Sequence, residues 1–144
     1  MSVKEKLWRV HEQQIQRTKP EAHILAMKIR IAKITKQLQQ AMGCEGKNIY
    51  IHTRALKHLY DKKPAEEFDF LIDHLEAIVR APDFLYRNRD NKTGSFCVVK
   101  EIEHCRYIVI LEEIWIVTAF RVRDEKYLRN YDLLRSWRDG AHSS

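Results

Sequence analysis

SFCVVKEIEHCRYIVILEEIWIVTAFRV, residues 95–122, contains three apolar runs separated by short polar connections. The runs are rich in β-branched and aromatic residues, which favour strands. A parallel crossover needs a dozen residues or more, so these strands must be antiparallel. DFLYRN, residues 83–88, precedes them as a further strand, and RDNKTG, residues 89–94, is typical of a turn. Together these segments predict a four-stranded antiparallel meander.

The segments on either side of the meander predict one more strand and several helices. NIYIHT, residues 48–53, alternates as a strand does, and two amphipathic helices follow at residues 54–63 and 66–81. DEKYLRNYDLLRSW, residues 124–137, predicts a closing helix with its first residue as N-cap. The expected fold class is therefore α+β, with N-terminal helices, a strand, two helices, a four-stranded antiparallel meander and a C-terminal helix.

Residues 1–43 are predicted to form a basic helical extension of an α+β domain at residues 44–144. A short heptad seam in this segment is formed by Ile24, Met27, Ile31, Ile34, Leu38 and Ala41. The seam is too short for an autonomous coiled coil, so it packs on the domain or forms a homodimer through residues 24–42.

The charge of the chain is unevenly distributed. Residues 1–43 hold nine Lys and Arg against three Glu, a net charge of +6 that equals the net charge of the whole chain. A basic segment on a neutral remainder suggests an anionic partner such as nucleic acid, although solubility alone would also account for it.

Composition excludes several classes of protein. The length of 144 residues and 44% hydrophobic content indicate one folded domain. No apolar run approaches the ~18–20 residues that span a bilayer, so no membrane association is expected. Three cysteines without metal-site spacing suggest reduced thiols and a cytoplasmic location. Nucleotide-binding, hydrolase and metal-ligand motifs are absent, so we expect no cofactor and no metal.

Three stretches carry a resemblance to a known family: IYIHTRALKHL (49–59), RAPDFLYRNRDNKTGSFCVVKEI (80–102) and WIVTAFRV (115–122). They resemble the phage-type branch of the barnase, EndoU, colicin and RelE-like ribonuclease superfamily. The shared features are a histidine after the first strand, a "PD" pair before a strand, a Gly-Ser hairpin leading to a lysine, and a late "TAF". The resemblance implies a RelE-like fold and a toxin-like RNA-cleaving domain that works without metal, with an RNA substrate and an antitoxin or immunity partner.

In that family the ribose 2′-hydroxyl attacks the adjacent phosphate, and the resemblance implies three catalytic residues here. His58 would transfer protons, while Lys100 and the Thr118 hydroxyl would hold the phosphate. Each residue also has an ordinary interpretation. His58 would be an exposed helix histidine, Lys100 a lysine that extends its ammonium past the sheet edge, and Thr118 a residue of a central strand.

The predicted substrate-binding residues are Arg54, Arg87, Arg89, Arg121 and Tyr131. Arginines interleaved with aromatic rings suit single-stranded RNA, which offers phosphates and unstacked bases together. Solvated arginines with salt bridges on an amphipathic helix are the alternative. The competing hypothesis for the whole chain is a non-catalytic module that binds nucleic acid or protein through its basic N-terminal helices.

Overall fold

The computed structural model describes residues 2–89 and 95–138, without the side chain of Glu125. The predicted turn RDNKTG thus lies almost entirely outside the described residues.

The helices are α1 (Val3–Val10), continued by a π-helical segment (His11–Ile15), α2 (Lys36–Met42), α3 (Thr53–Lys62), α4 (Ala65–Arg80) and a 3-10 helix (Glu125–Asn130). The strands are β1 (Lys28–Lys33), β2 (Asn48–His52), β3 (Phe84–Asn88), β4 (Phe96–Ile102), β5 (Cys105–Glu112), β6 (Trp115–Arg121) and β7 (Tyr131–Ser136).

The described strands form one seven-stranded mixed sheet in the order β1-β2-β6-β5-β4-β3-β7. Strands β2 and β6 are parallel, and all other neighbours are antiparallel. The predicted α+β class is confirmed. The predicted four-stranded sheet closed by a C-terminal helix is wrong, because β1 and β2 extend the sheet beyond β6 and β7 extends it beyond β3.

The segment predicted to form one helix with a heptad seam contains a strand followed by a short helix. Residues 28–33 form β1, which pairs with β2, and only the end of the predicted seam is helical, as α2. Isoleucines at 29, 31 and 34 fit strand packing as well as a helical seam, and β-branched side chains favour the strand. Ile31, Ile34 and Leu38 are buried in the chain's own core, so these three seam residues are not available to a second copy.

The predicted C-terminal helix is also wrong. Its first half is the 3-10 helix, in which Asp124 caps the backbone N–H of Lys126 as expected of an N-cap. Its second half is β7, which pairs along the free edge of β3 from Phe84↔Ser136 to Asn88↔Tyr131. The edge of β3 offers unpaired backbone groups, and pairing with them overrides the helical spacing of the side chains.

One face of the sheet packs on the helices and forms the main core. Helix α4 supplies a stripe of buried side chains at helical spacing. Two acidic residues in its first turn stabilise the helix by interacting with the positive end of its dipole. Leu7 of α1, Ile31 of β1 and Leu38 of α2 belong to the same cluster as Leu71 and Val109. Residues 2–43 are therefore packed into the same core as the rest of the described chain.

The π-helical segment places His11 in an aromatic cage. Its ring centroid lies 5.5 Å from that of Trp8, 4.9 Å from Tyr60 and 5.1 Å from Phe68. His11 is buried, and its Nδ1 has no hydrogen-bond partner in the part of the chain that the structure describes. Burial lowers the pKa of this imidazole below its usual value, although Asp69 and Glu12 act in the opposite direction. The cage therefore favours a neutral histidine.

The second face of the sheet is only partly covered. Under β3 to β5 a smaller cluster of Cys97, Val99, Ile108 and Ile110 packs with side chains from the 3-10 helix and its flanks. Across β1, β2 and the start of β6, this face carries polar and aromatic side chains that are exposed or half-buried. No described helix is both long and apolar enough to cross a membrane.

Candidate nucleic-acid interface

A β-bulge directs three cations of β1 to the second face of the sheet. Lys28 pairs with His52 and Arg30 with Tyr50, and the register shifts before Ala32 pairs with Ile49 and Lys33 with Asn48. Directly paired residues share a face. Lys28, Arg30 and Lys33 therefore lie on the face of Tyr50 and His52, whereas the isoleucines of β1 lie in the core.

Three aromatic side chains, Tyr50, His52 and Trp115, form an aromatic patch beside these cations. Tyr50 pairs with Trp115 across the parallel β2 and β6 pair, and their ring centroids are 5.5 Å apart. The His52 ring stacks on Trp115 at 4.1 Å with an interplanar angle of 9°. The Nζ of Lys28 lies 5.0 Å from the centroid of the Tyr50 ring. Flat rings and positive charge thus alternate across one surface.

A cleft of about 280 Å³ opens between α1 and β1. This basic cleft is lined by Lys6, Arg9, Val10, Lys28, Ile29 and Arg30, and no acidic residue lines it. Helix α1 directs Lys6 and Arg9 to this cleft, because Leu7 is buried and the Trp8 Nε1 donates to Asp73 Oδ1 at 2.8 Å on the other side of the helix. Among the described residues, none of the four cations has an ion pair with a carboxylate. Arg9 also lines a neighbouring pocket with Glu5 and Glu12, so the excess positive charge of the cleft is greatest at Lys6, Lys28 and Arg30, where it attracts an anion.

Two of the predicted site residues, His58 and Arg54, line a pocket on α3. This α3 pocket, of about 280 Å³, is formed by Glu21, Ala22, His23, Ile24, Arg54, Lys57, His58 and Asp61. The Arg54 Nε lies 3.4 Å from the Ile24 carbonyl oxygen, which it approaches as a donor. The structure thus brings these two residues together and adds a second histidine, His23, that the sequence had not marked.

The acidic groups of the α3 pocket are already paired. The buried Lys57 Nζ donates to the Asp61 carboxylate at 2.9 Å and to the Lys19 carbonyl at 2.9 Å. Burial raises the pKa of Asp61, but hydrogen bonds from the Glu21 backbone N–H and from Lys57 outweigh it, so the net pKa is lowered. Glu21 pairs with Lys62 at 3.0 Å. Arg54, His23 and His58 remain as polar groups without an ion pair in this part of the described chain.

The structure places Lys100 far from this pocket in the fold. Its Nζ donates at 2.7 Å to the carbonyl oxygen of Ala81, the residue that ends α4. A cation at the C-terminus of a helix compensates its unpaired carbonyls. Lys100 also lines a cavity of about 360 Å³ with Arg80 and Trp137, on the helix side of the sheet. Its observed contact is thus with the protein's own backbone.

Thr118 lies on the opposite face of the sheet from Lys100. Lys100 pairs with Tyr107 of the main core, and Thr118 pairs with Ile110 of the smaller cluster. Tyr107 and Ile110 are three residues apart on one strand, so their side chains point to opposite faces. The predicted trio of His58, Lys100 and Thr118 does not line any one of the described pockets.

The remaining predicted binding residues are dispersed. Arg89 forms an ion pair with Asp132 at 2.8 Å, and Arg87 is exposed on the same strand. Arg121 is exposed at the end of β6, where its backbone N–H donates to Glu67 of α4 at 3.2 Å. Tyr131 packs against the smaller cluster, with its hydroxyl 3.2 Å from that of Tyr127. These residues do not share a pocket with His58 and Arg54.

Several residues of the observed surface were missed in the sequence. The segment with the concentrated positive charge, residues 1–43, supplies all four cations of the cleft, Lys6, Arg9, Lys28 and Arg30. The sequence did not indicate that Trp115 belongs to a binding surface, because a tryptophan at the start of an apolar strand is equally typical of a core. The partnership of α1 with β1 arises only from tertiary packing.

No family model, curated protein or solved structure matches this chain. The resemblance to the ribonuclease superfamily therefore stays a prediction. Among residues 2–89 and 95–138, no group of three or more His, Cys, Asp or Glu side chains is arranged to hold a metal ion.

Proposed function

We propose that this chain binds single-stranded nucleic acid, RNA foremost, across the basic cleft and the aromatic patch. The observation that carries the proposal is the cleft itself, which four cations and no acidic residue line, directly beside three exposed or half-buried rings. Phosphates supply the charge that such a cleft attracts, and counterion release makes the binding favourable at low salt. This corresponds to the non-catalytic module considered from the sequence, with its partner narrowed to nucleic acid.

The aromatic patch favours a single strand over a duplex. Unpaired bases stack on aromatic side chains, whereas the bases of a duplex are stacked on each other and hidden from a sheet surface. The cations of β1 border the patch along one edge, so a strand can place its phosphates on β1 and its bases towards β2 and β6. Glu112 pairs with Trp115 from β5, and its carboxylate accepts from the Ser95 hydroxyl. This acidic group marks the far boundary of the surface.

Fluorescence anisotropy with a labelled 12-nucleotide oligouridylate tests the proposal. The double variant Lys28→Ala/Arg30→Ala is expected to bind about tenfold or more weakly, and the slope of log affinity against log salt should fall by about 1.4. The matched control, Arg80→Ala/Arg135→Ala, removes the same charge from α4 and from the opposite edge of the sheet, and it should bind as the wild type does. Equal losses in both variants, or no binding by the wild type, would overturn the proposal.

A second candidate function is the metal-independent RNA cleavage implied by the family resemblance. The α3 pocket favours it, because His58 and His23 lie beside Arg54 in one open pocket. One imidazole would take the proton of the 2′-hydroxyl as this oxygen attacks phosphorus, and the other would protonate the leaving 5′-oxygen, which yields a cyclic phosphate. Lys100 and Thr118 have no part in this arrangement. An antitoxin or immunity partner belongs to this candidate alone.

Incubating purified protein with RNA in the presence of EDTA tests the second candidate. Cleavage with a 2′,3′-cyclic phosphate product is expected, and His58→Ala and His23→Ala should each abolish it, whereas Lys100→Ala should not. Intact RNA at cell-like salt, or cleavage that survives both histidine changes, would contradict it. Binding by the basic cleft would stand in either case.

A further inference from the structure

We infer that the α3 pocket is a second phosphate-binding site, which holds the same strand after it leaves the basic cleft. The inference rests on the proposed function and extends it, because the binding surface would continue from the sheet onto helix α3. The ligand at this site is an internal phosphodiester of single-stranded nucleic acid.

The pocket carries positive and hydrogen-bond-donating groups that its own acids do not neutralise. Asp61 is engaged by Lys57 and by the backbone N–H of Glu21, and the Glu21 side chain is engaged by Lys62. Among the described residues, the Arg54 guanidinium has only the long contact from its Nε to the Ile24 carbonyl oxygen. An arginine with free N–H groups beside two imidazoles is suited to a phosphate, which accepts several hydrogen bonds at once.

The pocket lies at the end of the sheet where the basic cleft also ends. Lys28 pairs with His52, and α3 begins at the next residue, Thr53. Ile24, the last pocket residue before β1, precedes Lys28 by four positions, which an extended chain covers in at most about 14 Å. A strand that lies along β1 from Lys33 to Lys28 therefore arrives at Arg54 without crossing an acidic surface residue of β1 or β2.

The connection between the two sites is held in place by a buried threonine. The Thr53 hydroxyl donates to the Leu25 carbonyl at 2.6 Å and accepts from the Met27 N–H at 3.0 Å. The Thr53 N–H also donates to the Met27 carbonyl at 2.8 Å. Three hydrogen bonds thus fix the segment between the pocket and β1 against the start of α3. The spacing of the two sites is preset, which lowers the entropy cost of binding one strand at both.

The dependence of affinity on oligonucleotide length tests this inference. The probes are labelled oligothymidylates of 4 and 12 nucleotides, because DNA lacks the 2′-hydroxyl and cannot be cut by the mechanism above. Arg54→Ala/His58→Ala is expected to weaken binding of the 12-mer about tenfold and to leave the 4-mer within about twofold, since a short strand occupies only the sheet surface. Arg54→Lys, which keeps the charge, should recover part of the 12-mer affinity.

The possible outcomes separate the inference from the proposed function. A 12-mer bound equally by the wild type and by Arg54→Ala/His58→Ala, while Lys28→Ala/Arg30→Ala still weakens binding, overturns the second site and leaves the proposed function standing. Failure of both oligonucleotides to bind the wild type overturns both. Arg54 and His58 are exposed, and a thermal melt of the double variant that matches the wild type confirms that a loss reflects binding.

Discussion

The two faces of the sheet differ in what their side chains contact. The helix-covered face is apolar and closed, and Phe68, Leu71 and Val109 are essentially inaccessible to solvent. The uncovered part of the second face carries cations and aromatic rings that contact each other and solvent. The same strands thus direct one set of side chains into the core and leave another set at the surface, where we propose that the ligand binds. Changes on one face should therefore alter the free energy of unfolding, and changes on the other should alter affinity.

The largest expected effect is on the covered face. Phe68→Ala removes a fully buried ring that packs against His11 and Tyr60, and it should lower the free energy of unfolding by about 3–5 kcal/mol. Urea denaturation monitored by circular dichroism measures this loss. The control is Val117→Ala, at a side chain that is 39% exposed at the bulge of β6, which should change stability by no more than about 0.5 kcal/mol. Similar losses in the free energy of unfolding of both variants would contradict the expected difference between the covered and the exposed side chains.

The next effect concerns the uncovered face. Trp115→Ala should weaken binding of a labelled oligouridylate by about 1–3 kcal/mol, because it removes a ring on which a base can stack. Trp115→Phe keeps an aromatic surface and should retain most of the affinity. Anisotropy titrations at one fixed salt concentration compare the three proteins. Unchanged affinity in the alanine variant would show that the aromatic patch does not contact the ligand.

A smaller effect is expected for Lys100, which lies on the covered face but was predicted to hold phosphate. Lys100→Ala removes the contact with the Ala81 carbonyl and should lower the free energy of unfolding by about 0.5–1 kcal/mol, with oligonucleotide affinity unchanged. Thermal melts and anisotropy on the same preparation measure both quantities. Weakened binding without lost stability would instead support the role implied by the family resemblance.

The smallest effect is on the pH dependence of stability. The pKa of His11 is lowered in the folded state, so the unfolded chain binds the proton more tightly. Stability should therefore be highest above the ordinary pKa of about 6.5 and should decrease as the pH falls through the lowered value. His11→Phe has no proton to gain and should lose less stability between pH 7 and pH 5. Urea midpoints of both proteins across this range measure the difference, and parallel curves would contradict the expectation.

The parts of the fold that were predicted correctly are those with one dominant local signal. Helix α4 has apolar residues at strict helical spacing, and β4 to β6 are β-branched runs with turns too short for any other connection. Strand β1 was predicted to be a helix, because the spacing of its isoleucines fits both the helical period and the alternation of a strand. Strand β7 was misassigned because the requirement that decides it, the unpaired edge of β3, lies more than forty residues earlier in the chain.

The candidate site could be predicted only in part for a related reason. Strict alternation had placed Thr118 on the face of Ile116, but the register of β6 shifts between these residues, so they lie on opposite faces. The bulge changes the face of Ile116, whereas Thr118 stays on the face of Phe120, which is opposite to that of Lys100. His58 and Arg54 were paired correctly because they are four residues apart on one helix, where spacing alone decides proximity.

The bulge in β1 determines how this strand responds to the deletion of a residue. It allows Lys33 to share a face with Arg30, although the two residues are three positions apart, while Ile31 and Ala32 both remain in the core. Deleting one residue between positions 30 and 33 would remove the bulge and leave regular alternation, with Arg30 and Lys33 still on one face of the sheet. A deletion at the bulge should therefore cost only the packing of one apolar side chain, whereas a deletion within residues 28–30, where pairing is regular, should bury a charge or expose an isoleucine.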